Sequence, residues 1–114
     1  MKKLISLIAF SFIINSCSST KSLYSWDKYE QASYNYLKKA DEKSTELILD
    51  EYKKVISTQK GIRKAVPPGI YADYGFLLIQ KGNITEGVEN LKKEIQFYPE
   101  SKIFIDRILK LIEK

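Results

Sequence analysis

An all-α fold is predicted for this chain by three observations. Apolar residues recur at steps of three and four, most regularly at Ile84, Val88, Leu91, Ile95 and Tyr98. Helix start and stop signals punctuate the pattern, in Val66-Pro67-Pro68-Gly69, Gly82-Asn83 and Pro99. No segment reads as a convincing strand. Short connections between helices imply antiparallel neighbours. The expected architecture is therefore a set of antiparallel helical hairpins, about five helices after a cleaved leader, in one domain of at most 114 residues.

The leader comes first. Lys2 and Lys3 precede a largely apolar run of eleven residues at 4–14, short of the roughly 20 that span a bilayer as a helix and suited to a signal-peptide core. The run ends at Ile14-Asn15-Ser16-Cys17, which resembles the lipobox of bacterial lipoproteins. That resemblance implies cleavage after residue 16, a diacylated Cys17 and a polar tether over 17–22. Asn15 departs from the usual small or apolar residue of that motif. An ordinary secretory signal with an incidental Cys, or an uncleaved anchor, is the alternative. Ser18 after the Cys, by resemblance to lipoprotein sorting, implies the outer membrane with the domain in the periplasm. Two or three acyl chains anchor stably where one does so marginally.

The domain then runs from 23 to 114. Ser25 can cap a first helix with Asp27 in its first turn, and Ser44 a second with Ile48, Tyr52, Val55 and Ile56 on one stripe. Pro68 suits the first position of a third helix and Gly82 its C-terminal stop. This helix is apolar almost all round, as a central, covered helix would be. Thr85 can cap the fourth helix, which Pro99 ends. Ser101 can cap the fifth, whose apolar residues cover more than half its circumference.

The span from Pro68 to Ser101 is 34 residues, the tetratricopeptide period. On that register Tyr71 takes the first aromatic position, Gly75 and Gly87 the small positions where two helices meet, and Pro99 the closing proline. Glu94 stands where Ala is usual. Leu23-Tyr24-Ser25-Trp26, the stretch from Val66 to Gly75, Lys93-Glu94 and Tyr98-Pro99-Glu100-Ser101 together resemble an uncharacterised family of small bacterial outer-membrane lipoproteins. Its domain of unknown function is tetratricopeptide-like. Members are often encoded beside two other lipoproteins, one similar to the curli-secretion pore protein. The resemblance implies a role in an envelope assembly, with other envelope lipoproteins or a secretion complex as partners. It carries over no catalytic or ligand residues.

Composition narrows the chemistry further. The chain has no His and a single Cys, which excludes Cys/His zinc sites, internal disulfides and His-based catalysis. Removing residues 1–16 takes two lysines and lowers the net charge from +5 to +3 over 98 residues, no case for a nucleic-acid partner. No cofactor or metal is expected. A non-catalytic binding or assembly module follows, with Tyr29, Tyr71 and Tyr74 as candidate partner-surface residues and Pro67, Pro68, Gly69, Gly75, Gly87 and Pro99 as its structural motif. The alternative is a small peptidoglycan-binding or peptidoglycan-cleaving protein, since Glu100-Ser101 resembles the Glu-Ser pair of lytic transglycosylases. Lys60, Arg63 and Lys64 read as a solvated connection, or as a face for anionic lipid or peptidoglycan.

Overall fold

The structure is a computed structural model that describes Lys3 and residues 21–114. Apart from Lys3, the leader lies outside the described residues, and so does Cys17. Among these, the chain forms five α-helices and no strand: α1 (Tyr29–Lys39), α2 (Glu42–Ser57), α3 (Ile70–Gln80), α4 (Ile84–Phe97) and α5 (Lys102–Ile112), with a 3-10 turn at Pro99–Ser101 before the last. The all-α expectation holds.

Helix α3 is central. One of its faces places Ile70, Tyr74, Leu77 and Leu78 in a core with Ala32 of α1 and Ile48, Tyr52 and Val55 of α2. The other places Ala72 and Ile79 against Leu91 of α4 and Ile105 of α5. Such a two-sided helix needs apolar residues almost all round, as its sequence shows. α1 packs on α2, and α3 packs most extensively on α4. The crossing of α3 and α4 is tight: a Cβ built on Gly75 would fall 2.6 Å from the Gly87 carbonyl oxygen, and one on Gly87 2.4 Å from Ile79.

Several helix ends differ from expectation. α1 starts at Tyr29, four residues after Ser25, because Asp27 takes a left-handed backbone with φ 48° that breaks the helix before it. Asp41, not Ser44, is the N-cap of α2; its carboxylate accepts from the Ser44 N–H at 2.8 Å while the Ser44 hydroxyl accepts from the Asp41 N–H at 3.1 Å. Pro68 lies two residues before α3, and Gly69 is the N-cap with φ 91°. Gly82 (φ 90°) follows the C-cap and forms a Schellman closure: its N–H donates to the Ile79 carbonyl, and the Asn83 N–H to the Leu78 carbonyl. α4 starts at Ile84, before Thr85. Its buried face centres on Gly87, Asn90, Leu91 and Glu94 and leaves Ile84 51% exposed, rotated from the predicted stripe by the close approach to α3. Ser101 does not cap α5 through its side chain; its hydroxyl donates to the Tyr98 carbonyl at 2.7 Å.

Two buried carboxylates close the hairpins. Neither Gly69 nor Lys28 caps its own helix with a side chain. Glu94, 2% exposed on α4, accepts from the backbone N–H of Gly69 at 2.7 Å and of Ala72 at 3.3 Å, so it caps α3 from the neighbouring helix. Glu51, buried on α2, accepts from the Lys28 N–H at 3.3 Å and so meets the start of α1. Both carboxylates thereby also face the positive end of a helix dipole. In each case the late part of the second helix meets the start of the first, which fixes the pair as antiparallel.

Candidate functional site

Three separated stretches of sequence converge beside the start of α3. The first is residues 22–24. The Ser22 carbonyl accepts from the Ile62 N–H at 3.0 Å and the Leu23 carbonyl from the Arg63 N–H at 3.1 Å, which lays this stretch along residues 61–63. Gly61 permits the approach: a Cβ there would sit 2.4 Å from the Leu23 carbonyl oxygen. Tyr24 is thus held against the connection between α2 and α3, with the Arg63 guanidinium 5.9 Å from its ring centre, a cation–π distance.

The second and third stretches meet directly. The Tyr98 hydroxyl donates to the Val66 carbonyl, tying the end of α4 to the residue before the two prolines. One residue earlier, Phe97 stacks on Tyr71 of α3, with ring centres 5.6 Å apart and planes 12° from parallel. The result is a groove of about 600 Å³ walled by Tyr24, Arg63, Val66, Tyr71, Phe97 and Tyr98. Its size and its balance of aromatic walls with a few polar groups are those of a ligand-binding cleft.

The groove is electrostatically simple. Burial pushes the Tyr98 phenol up to about 12, helped by the Tyr24 hydroxyl beside it. Burial also raises Tyr71, with the Glu94 charge adding to it. Both phenols stay neutral at physiological pH and act as hydrogen-bond groups. Arg63 and Lys64 are the charged side chains on the described walls, and no carboxylate lies among them. Such a surface stacks on flat or apolar groups and offers one fixed cation. It holds no nucleophile paired with a base. Among the described residues no cluster of three or more acidic or Cys side chains is placed to hold a metal, and no helix is long and apolar enough to cross a membrane.

The three tyrosines singled out from the sequence do not form one surface. Tyr29 and Tyr74 flank Tyr52 of α2, at 5.6 and 5.8 Å between ring centres, and are taken up in packing. Tyr74, 4% exposed, also donates to Glu86 at 3.2 Å, and burial pushes its phenol up to about 12. Tyr71 alone reaches the groove. Pro67 is fully buried, Gly69 caps α3, Gly75 and Gly87 make the helix crossing, and Pro99 opens the 3-10 turn. Glu100 is exposed on that turn, away from the groove walls. Phe97, Glu51 and Glu94 were not expected from the sequence as site or closing residues, and Arg63 was expected only with Lys60 and Lys64, as a solvated connection or a face for anionic lipid or peptidoglycan. Tyr24 and Tyr98 stand in the motifs Leu23-Tyr24-Ser25-Trp26 and Tyr98-Pro99-Glu100-Ser101, and the departure of Glu94 from Ala is the signal for its role.

Residues 23–108 match the family described as Domain of unknown function (DUF4810). No curated protein and no solved structure matches the chain.

Proposed function

The chain belongs to the DUF4810 family, and we propose that it is an outer-membrane lipoprotein, anchored through acylated Cys17, whose helical domain acts as a non-catalytic binding module in a periplasmic envelope assembly. Its packing on this reading is tetratricopeptide-like, with Gly75 and Gly87 as the small residues of the repeat. Its partner is another envelope lipoprotein or a component of a secretion complex, engaged through an extended apolar or aromatic segment laid in the groove.

A single observation carries the binding role. Tyr24, Tyr71 and Tyr98 come from motif segments far apart in the sequence, yet they wall one cleft. Helix packing alone does not require an open aromatic cavity at that junction. Half-buried aromatic rings beside an Arg, with Phe97 57% exposed among them, are the composition of binding hot spots. The anchor rests on Ile14-Asn15-Ser16-Cys17.

Purification of the tagged lipoprotein from detergent-solubilised membranes tests both parts. An envelope protein is expected to co-purify with the native chain and with Leu47→Ala, and to fall at least about tenfold with Phe97→Ala, the loss of about 1.4 kcal/mol of hot-spot contact. Cys17→Ala is expected to lose its acyl mass and its membrane fraction. Equal recovery with Phe97→Ala removes the groove as the binding site. Muropeptide release that Glu100→Gln abolishes in a folded protein would replace the binding reading with a cell-wall enzyme.

A further inference from the structure

The face around Lys21 combines exposed lysines with exposed aliphatic side chains. Lys21, four positions after Cys17, is the first residue after the leader that the structure describes. Four residue steps extend about 14 Å at most. A Cys17 acyl anchor therefore holds the Lys21 face within that distance of the headgroups.

That face has a distinct composition. The 22–24 stretch and the 61–63 stretch lie side by side, and a shallow cleft between them is lined by Lys21, Lys60 and Lys64 and by no acidic side chain. All three lysines are exposed, and none is in an ion pair among the described residues. The same two stretches carry two apolar side chains with little cover, Leu23 at 53% and Ile62 at 59% exposed, and Ile62 lines the cleft. Lys64 holds a left-handed backbone, φ 46°, which is unfavourable for a residue with a side chain. Cations surrounding exposed aliphatic tips suit an interface where lysines meet lipid phosphates and the tips enter the boundary region.

We propose that Lys21, Lys60 and Lys64, with Leu23 and Ile62, form a membrane-docking face that seats the domain on anionic phospholipid. This rests on the lipid-anchor reading, and it goes further by fixing the orientation of the domain. The aromatic groove shares Tyr24 and Lys64 with this cleft. Docking there sets the groove beside the bilayer surface, where it meets a partner segment close to that partner's own anchor.

The test uses the mature lipidated protein reconstituted on vesicles, with a fluorophore at Ile62→Cys or, as control, at Leu47→Cys near the other end of α2. Intact mass reads the acyl chains, and quenching by lipid-borne nitroxide reads the docking. On phosphatidylethanolamine–phosphatidylglycerol vesicles, position 62 is expected to be quenched several-fold more than position 47. The difference should disappear on phosphatidylcholine alone, in molar salt that shortens the screening length to about 3 Å, and in the Lys21→Gln, Lys60→Gln, Lys64→Gln triple variant. Each lysine near an anionic surface is worth about a fivefold change in occupancy, so the triple variant loses docking on the order of 100-fold. An acylated chain with equal quenching at 62 and 47, or with quenching that ignores the triple variant, overturns the docking face and leaves the anchor standing. An unacylated mass removes the anchor and the docking face with it.

Discussion

Glu94 shows how much depends on one side chain. Placed where the repeat expects Ala, it is buried and accepts two backbone N–H groups at the start of α3. Hydrogen bonds from N–H groups to a buried charge contribute more than neutral ones, and a donor stripped of its partner suffers its full desolvation penalty. Glu94→Ala is expected to lower unfolding stability by on the order of 2–3 kcal/mol in urea titration. Glu94→Gln keeps an acceptor oxygen and should lose about half as much. No loss from Glu94→Gln would mean that the carboxylate acts only by filling space. The sequence marked this position as a departure but could not give its reason. The reason is a contact across 25 residues, and no periodicity in α4 points to it. Ser44 was more legible because its bonds are local, although the hydroxyl expected to cap proved to be the reciprocating partner of Asp41.

Helix by helix, the best-read features were those set by backbone stereochemistry. Pro67-Pro68-Gly69 and Gly82 bracket α3 within two residues of the expected limits, since prolines and left-handed glycines constrain the chain whatever surrounds it. Faces were read less well. α4 carries a clean apolar stripe, yet beside Gly87, which was expected at the crossing, it turns Glu94 inward and leaves Ile84 out. The cause is Gly75, where α3 lacks a side chain and lets the α4 backbone come close. Gly75→Ala would place a methyl 2.6 Å from the Gly87 carbonyl, a contact with backbone that cannot swing aside. A melting temperature markedly below the native one is expected, corresponding to roughly 1–3 kcal/mol of overpacking. A neutral or stabilising outcome, as helix propensity alone would give, would show that the two helices sit further apart.

Across the whole molecule, aromatic rings join the hairpins. Trp26, Tyr29, Tyr52 and Tyr74 run in sequence through the first core at 5.6–5.8 Å between ring centres, while Tyr71, Phe97 and Tyr98 stand at the groove. The phenols of Tyr52, Tyr74 and Tyr98 are all raised above their usual value of 10, chiefly by burial. In the unfolded chain these groups ionise near pH 10. The folded state therefore holds protons that the unfolded state releases. Stability that is complete below about pH 10 is expected to fall as the pH rises through 12, by up to about 1.4 kcal/mol per pH unit for each tyrosine. Alkaline unfolding followed by circular dichroism checks this, and Tyr52→Phe should make the fall shallower. A pH-independent plateau up to 12 would contradict it. The hairpin architecture was legible because helices announce their ends in the sequence. The groove was only half legible: its tyrosines stood in conspicuous motifs, but nothing local says that Tyr24 lies beside Tyr98. That proximity follows from Gly61 admitting residues 22–24.

The proposed binding groove at the membrane depends on all of these distant stretches. Its most direct measurement places a photo-activated crosslinking residue at position 97 in living cells, with position 47 as control, and identifies adducts by mass spectrometry. A single envelope protein captured at 97 and absent at 47, in amounts that Arg63→Ala reduces, is the predicted result. Capture of the same proteins at both positions, or of none at 97, would contradict it.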